Sequence, residues 1–218
     1  FANTFRVRFV NTITSWIPGN EGGLAAGILL GGQNHLEPRV VEDFRKTGVS
    51  HIVAASGYNV TVVSGWVLAA LNRVVGRRTS TFFVILSIIL YVFVAGAGPP
   101  IVRAGLMAIV AALGLWLGRK STPMWALLLV GWGMLMWRPE LWEDIGFQLS
   151  FAATAGILLV SGRGNWVVAE LKTVLAAYFA TAPIILYHFG KVSLVAPMVN
   201  LLVSWVVPIV MQIVGVAL

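Results

Sequence analysis

The fold class this sequence predicts is an all-α, polytopic integral membrane helix bundle, and three observations carry that expectation. The first is composition: of 218 residues, 58 % are hydrophobic and only 11 % charged. An ordinary soluble domain carries about a quarter charged residues, so this chain lacks the polar surface to face water. A soluble globular enzyme and a disordered tail are both excluded. The second is arrangement: from His51 onward, apolar runs of roughly the ~20 residues a membrane crossing needs follow one another with short loops between them. The third is loop charge: one set of alternate loops carries a clear Lys/Arg excess and the opposite set does not, as on the two sides of a membrane. The absence of cysteine removes a disulfide scaffold, a thiolate zinc site, an iron–sulfur cluster and a Cys nucleophile together.

Two regions are expected: residues 1–50, an amphipathic interfacial helix with a polar outer-side segment, and residues 51–218, the transmembrane bundle. In the first, Phe5, Phe9, Val10, Ile13, Trp16 and Ile17 recur at helical spacing with Arg6, Arg8, Asn11, Thr12 and Ser15 opposite. Such a helix lies in the membrane interface or against the bundle. Pro18-Gly19-Asn20 stops it, and the apolar piece Leu24–Gly31 is too short to cross. Pro38 suits the first turn of a solvated helix carrying Arg39, Glu42, Asp43, Arg45 and Lys46, with Gly48 as its stop. Seven spans are expected at about 52–71, 82–98, 101–118, 122–137, 147–161, 168–189 and 194–218. Several are short, and Pro183, Pro197 and Pro208 are expected to interrupt the last two. Both chain ends read as cuts, because Phe1 is not methionine and the last residues lie inside an apolar run.

If the loop at 72–81 is cytoplasmic, alternation places Arg73, Arg77, Arg78, Arg119, Lys120, Arg163 and Lys172 inside with Glu170 as the single acid. The opposite loops hold Arg103, Arg138 and Lys191 against Glu140, Glu143 and Asp144. The first ~50 residues are then on the outer side. The net charge of +7 needs no polyanionic partner, since cytoplasmic loops collect Lys and Arg in any membrane protein. Gly114-x-x-x-Gly118 and Ala152-x-x-x-Gly156 invite close helix approach. Trp116, Trp125, Trp137, Trp142 and Trp166 fall near helix ends, where indoles settle at headgroup level.

Catalytic motifs are missing. Gly118-Arg119-Lys120-Ser121 does not match a phosphate loop, no H-E-x-x-H occurs, and the three histidines have no ligand spacing. No enzyme, metal or cofactor is expected. What remains is polar residues at membrane depth, which are costly and point to function by default. His51, Ser56, Gly57 and Asn59 form one group: either a continuous helix places His51 and Asn59 on one face, or Ser56-Gly57 breaks it and opens an anion-facing half-helix. Interhelical hydrogen bonds that merely fix packing are the bland alternative. Arg103 either presents its guanidinium to phosphate or snorkels to headgroups. Asp144, Gln148 and Ser150 enter a span together, with Ser150 and Thr154 on one stripe and Gln148 to the side. Asn200 lies between two prolines.

These stretches resemble a known family, the competence domain of the ComEC proteins. The resemblance is carried in order by Gly27-Ile28-Leu29-Leu30-Gly31, Phe44-Arg45-x-Thr47-Gly48-x-Ser50-His51-x-x-Ala54-x-Ser56-Gly57, Arg103-Ala104-x-x-Met107, Asp144-x-Gly146-Phe147-Gln148-Leu149-Ser150-Phe151, Phe189-Gly190-x-x-Ser193 and Asn200. Where Asn59 stands that family usually has a histidine, and where Gly32 stands an acidic residue. The resemblance implies passage of single-stranded DNA across the bacterial cytoplasmic membrane during natural transformation, by a multi-pass channel core. His51, Ser56, Gly57, Asn59, Arg103, Asp144, Gln148, Ser150 and Asn200 would line the path. It also implies a cytoplasmic ATP-driven motor similar to ComFA, a DNA receptor similar to ComEA, and membrane lipid as partners. One bundle could enclose the path or a homodimer could share it. Two other readings stand beside this one: a secondary transporter for a small solute, and a non-transporting scaffold whose polar clusters are glue.

Overall fold

The structure, a computed structural model, describes residues 2–32, 36–53, 57–71, 75–118, 122–160 and 165–217. These form ten α-helices and two 3₁₀ turns. Helices α1 (Ala2–Trp16), α2 (Asn20–Leu30) and α3 (Pro38–Thr47) precede a 3₁₀ turn at Ser50–Val53. Then come α4 (Gly57–Leu71), α5 (Gly76–Val94), α6 (Pro99–Trp116) and α7 (Pro123–Trp137). A second 3₁₀ turn at Pro139–Trp142 leads into α8 (Ile145–Val160), α9 (Trp166–Phe189) and α10 (Ala196–Ala217). Proline opens α3, α6 and α7, where its missing N–H costs nothing. Gly48 and Gly190 end α3 and α9 in the left-handed conformation that glycine alone adopts freely.

The helices α4–α10 fall on the seven segments where spans are expected, with differences. α6, α9 and α10 are long and apolar enough to cross a membrane; α4, α5, α7 and α8 are shorter apolar helices. The first expected span does not begin at residue 52, because Ser50–Val53 is a separate 3₁₀ turn and α4 starts at Gly57. A continuous helix from His51 to Asn59 is therefore overturned. Pro183 and Pro208 do not interrupt their helices: α9 and α10 run through them, and Pro197 sits in the first turn of α10. Membrane helices tolerate such prolines because neighbours and local adjustments satisfy the freed carbonyls.

α1 packs on the bundle with only part of its apolar face. Val10 and Ile13 bury against Ala25, Ala26 and Ile28 of α2 and Met211 of α10, while Phe9, Trp16 and Ile17 stay exposed. α2, too short to cross, is instead buried along most of its length. α3 buries nothing and carries an exposed Glu42–Lys46 ion pair at 2.9 Å. A second core joins Val60 of α4, Val84 and Ile88 of α5, and Ile101 and Ala104 of α6. A third joins Val130 and Met134 of α7 to Phe147 of α8.

Small residues set the close approaches. A Cβ on Gly156 would lie 2.7 Å from the Ala176 carbonyl oxygen and from Ala180 Cβ, so the Ala152/Gly156 stripe is where α8 meets α9. Gly118 does not act this way: it has φ +70° and open space around it, and it ends α6. The outside of the bundle is oily, with Phe82, Leu90, Phe93, Leu159, Phe179 and Leu202 each more than half exposed. Water would not tolerate so much contiguous apolar surface, and lipid does. Of the nine tryptophans, Trp116, Trp125 and Trp166 lie at one set of helix ends and Trp137 and Trp142 at the other, all exposed. Indoles at both sets of ends suit two interfacial belts. The fold is an all-α membrane protein.

Candidate polar sites at one end of the bundle

α4, α6 and α8 start at the same end of the bundle, and α9 finishes there. Gly57 at the start of α4 faces Ala104 and Arg103 of α6, and Gly146 near the start of α8 faces Pro100 of α6. Arg103 is the chemical centre of this end. One turn into α6, it is only 8 % exposed, which rules out a side chain snorkelling to headgroups. Its Nε donates to Ser150 Oγ at 2.8 Å and its Nη1 to Thr154 Oγ1 at 2.7 Å. The Met107 sulfur lies 3.4 Å from Nη1, and the guanidinium carbon is 5.7 Å from the centre of the Phe151 ring. Thr154 Oγ1 in turn donates to the Ser150 carbonyl, so that hydroxyl is oriented with a lone pair toward the guanidinium. The expected Ser150/Thr154 stripe is thus the face α8 turns to α6. Among the described residues no carboxylate pairs with Arg103; the ion pairs are Glu42–Lys46 and Arg138–Glu140. A buried cation held only by neutral acceptors retains most of its attraction for an anion.

Gln148 lies on another face of α8. Its Nε2 donates to the Trp142 carbonyl at 2.7 Å, and its Oε1 meets His188 Nε2 of α9 at 3.1 Å. Asp144 caps α8: its Oδ1 accepts from the Phe147 N–H at 2.6 Å, satisfying a donor that the first turn leaves orphaned. The acid therefore serves the helix start directly.

Asn59 and Tyr91 serve the end of α2. A helix leaves its last carbonyls without intrahelical partners, and here that end is buried. Asn59 Nδ2 donates to the Ile28 carbonyl, with a longer 3.4 Å contact to that of Leu29, and Tyr91 Oη donates to the Leu29 carbonyl at 2.6 Å. Gly32 then takes φ +112° while its N–H reaches the Val53 carbonyl at 2.8 Å. Only glycine adopts that conformation freely, so the acidic residue usual in the resembled family would be strained on this backbone.

His51 lies in the 3₁₀ turn. A Cβ on Gly48 would lie 2.8 Å from Ala196, so the end of α3 packs on the start of α10. There Tyr178, from the middle of α9, donates to the Ser193 carbonyl at 3.2 Å. One turn further into α10, the Oδ1 of Asn200 is buried with no hydrogen-bond partner among the described residues. Ser56 lies outside the described residues. The expected path residues thus form separate stations. Gly57, Arg103 and Ser150 meet; Asp144 and Gln148 lie beside them on α8; Asn59, His51 and Asn200 belong to the α2 and α10 junctions. Sequence reasoning missed His188, Tyr91 and Tyr178 as polar partners. A histidine and tyrosines inside apolar helices were the available signal.

The fold and these buried polar stations define a helical membrane protein whose interior, at one end, is built around a cation. Comparison with known proteins says which. The family described as "Competence protein" matches residues 28–218, and the chain belongs to it. ComE operon protein 3 of Bacillus subtilis (strain 168) is 28 % identical over 207 residues, which cover 91 % of this chain and 26 % of that protein. Competence protein ComA of Neisseria gonorrhoeae is 29 % identical over 209 residues, covering 83 % of this chain and 28 % of that one. An uncharacterized protein of Aquifex aeolicus (strain VF5) is 28 % identical over 181 residues, covering 82 % and 42 % respectively. The chain therefore spans well under half the length of the curated relatives it matches. No solved structure matches it.

Proposed function

We propose that this chain is the membrane core of a channel that passes single-stranded DNA across the bacterial cytoplasmic membrane during natural transformation. Membership of the competence family supports the setting. The observation that carries the reading is Arg103: a buried guanidinium facing no carboxylate among the described residues, braced by two hydroxyls so that its charge is not cancelled. A strand with one negative charge per phosphate cannot cross hydrocarbon unless fixed charges, dipoles or water replace its hydration. A solitary buried cation near a helix entrance is such a group, and Gly57 keeps the backbone beside it free of side chain. The core acts without enzymatic chemistry or cofactor. A cytoplasmic ATP-driven motor similar to ComFA would pull the strand and a receptor similar to ComEA would deliver it. The end of the bundle holding Arg103 would face outward, the core crossing several times.

The test is import of fluorescent duplex DNA into a transformable host whose own channel gene is deleted. The full-length native gene is expected to restore cytoplasmic signal, and an Arg103→Ala, Gln148→Ala double variant inserted at normal level is expected to lose it. Import retained by the variant would overturn the reading. Import and membrane level falling together would favour a scaffold whose polar clusters only hold the helices.

A further inference from the structure

Between the second 3₁₀ turn, α8 and α9, a recess of about 640 Å³ opens at the end of the bundle that carries Arg103. Trp142, Glu143, Gln148, Pro183, Tyr187 and His188 line it. Three features narrow what it can hold. First, its one formally charged lining group is a carboxylate: Glu143 forms no ion pair among the described residues, whereas Glu140 on the same turn is taken by Arg138 at 3.6 Å. A phosphate is repelled from such a recess. Second, the Gln148 amide is pinned, one N–H on the Trp142 carbonyl and its oxygen on His188, whose ring meets Tyr187 in a T-shaped contact at 5.1 Å. A primary amide has two donors and two lone pairs, so one of each is left. A fixed side-chain amide with a free donor and acceptor matches the paired groups on a base edge. Third, Trp142 and Tyr187 are 68 % and 86 % exposed, so two aromatic side chains stand open at the rim. Exposed aromatic faces beside a polar edge-reader are how proteins hold unstacked bases.

We propose that this recess is a nucleobase subsite, taking one unstacked base of single-stranded DNA against Trp142 or Tyr187 with its edge toward Gln148 and Glu143. The inference rests on the DNA reading above and adds to it a place where the strand is held by a base and not by phosphate. Glu143 accepts only, so the bases with an exocyclic amino group, cytosine, adenine and guanine, are preferred over thymine.

The experiment is equilibrium binding of short fluorescent oligonucleotides to the full-length protein in lipid nanodiscs. It compares oligo-deoxycytidine, oligo-thymidine and an abasic strand of equal length and charge. Stacking of one base corresponds to roughly 5- to 150-fold in affinity. Oligo-deoxycytidine is expected to bind at least about fivefold tighter than the abasic strand. Trp142→Ala with Tyr187→Ala is expected to erase that ratio while leaving abasic binding unchanged. Glu143→Leu, a surface change that spares the fold, is expected to bring cytidine and thymidine strands level. Equal binding of base-bearing and abasic strands, or a ratio surviving loss of both rings, overturns the subsite and leaves the channel reading standing. Binding of no strand by folded protein overturns both. Binding of an oligolysine peptide in their place makes the recess a cation site and overturns the proposal.

Discussion

Replacing Asn59 by leucine keeps the volume of the side chain and removes its hydrogen bonds. The consequence follows from the end of α2. Asn59 supplies the hydrogen bond to the Ile28 carbonyl, while the Leu29 carbonyl has both a 3.4 Å contact from Asn59 and a 2.6 Å bond from Tyr91. Asn59 is 2 % exposed, so water does not replace what is lost. An orphaned buried acceptor costs about 1–3 kcal/mol, and polar pairs between membrane helices average lower, about 0.6 with a ceiling near 1.7. A loss of about 1–2 kcal/mol is expected for Asn59→Leu, because a helix end has no intrahelical partner to fall back on. Tyr91→Phe alone is expected to cost about 1 kcal/mol or less, since Asn59 still approaches Leu29. The double variant is expected to cost more than the two singles added, because only then is the Leu29 carbonyl left with neither. Asn59→His, which retains a ring N–H donor, is expected to stay near the parent. Thermal unfolding in one detergent reads this: about 2–4 °C is lost per kcal/mol in a chain of this size. Unchanged melting for Asn59→Leu together with additive singles would refute the reasoning.

Other consequences are as concrete. Gly156→Leu drives a side chain into the Ala176 carbonyl and Ala180, so melting is expected to fall by about 1–3 kcal/mol equivalent. Gly133, with open space around it, is expected to accept alanine with a gain of about 0.5–1 kcal/mol from lower unfolded-state freedom and better helix propensity. Asp144→Ala removes the cap on the Phe147 N–H and is expected to cost about 1 kcal/mol, while Asp144→Asn keeps the acceptor and most of the stability; both are read by the same melting assay. In α3, the hydrogen bond and charge of Lys46 draw the Glu42 carboxyl below its usual range. Its contribution is therefore present above the unfolded pKa and lost as pH falls through the lowered value. The pair is fully exposed, so Glu42→Gln is expected to leave the melting temperature unchanged at neutral pH, and a clear drop would contradict this.

The helical membrane class was legible because it rests on sums over many residues, apolar run length and scarcity of charge, that no single contact can reverse. Pro38 marked a helix start for a local steric reason, and the Ser150/Thr154 stripe followed from helical period. What was not legible depends on partners far along the chain. Arg103 near a helix end reads equally as a headgroup anchor until α8 brings two hydroxyls to it from 47 and 51 residues away. Tyr91 looks like one more apolar-run aromatic until the end of α2, 62 residues earlier, proves to be buried beneath it. The prolines of α9 and α10 misled because a rule learned from helices in water overstates their cost in lipid. His188 gave a signal, a lone imidazole at the end of an apolar run, but not the partner 40 residues before it.

That a DNA strand passes beside the Arg103 guanidinium is the point on which the functional reading turns. A photoreactive residue placed at Met107, whose sulfur lies 3.4 Å from the Arg103 Nη1, addresses it in living cells. Irradiation during import of labelled DNA is expected to yield a covalent adduct between the protein and the incoming single strand. The same residue at Leu128, 55 % exposed on the lipid-facing side of α7, is expected to yield none. DNA adducts absent at Met107 while import proceeds normally, or equal at both positions, would contradict a path through this end of the bundle.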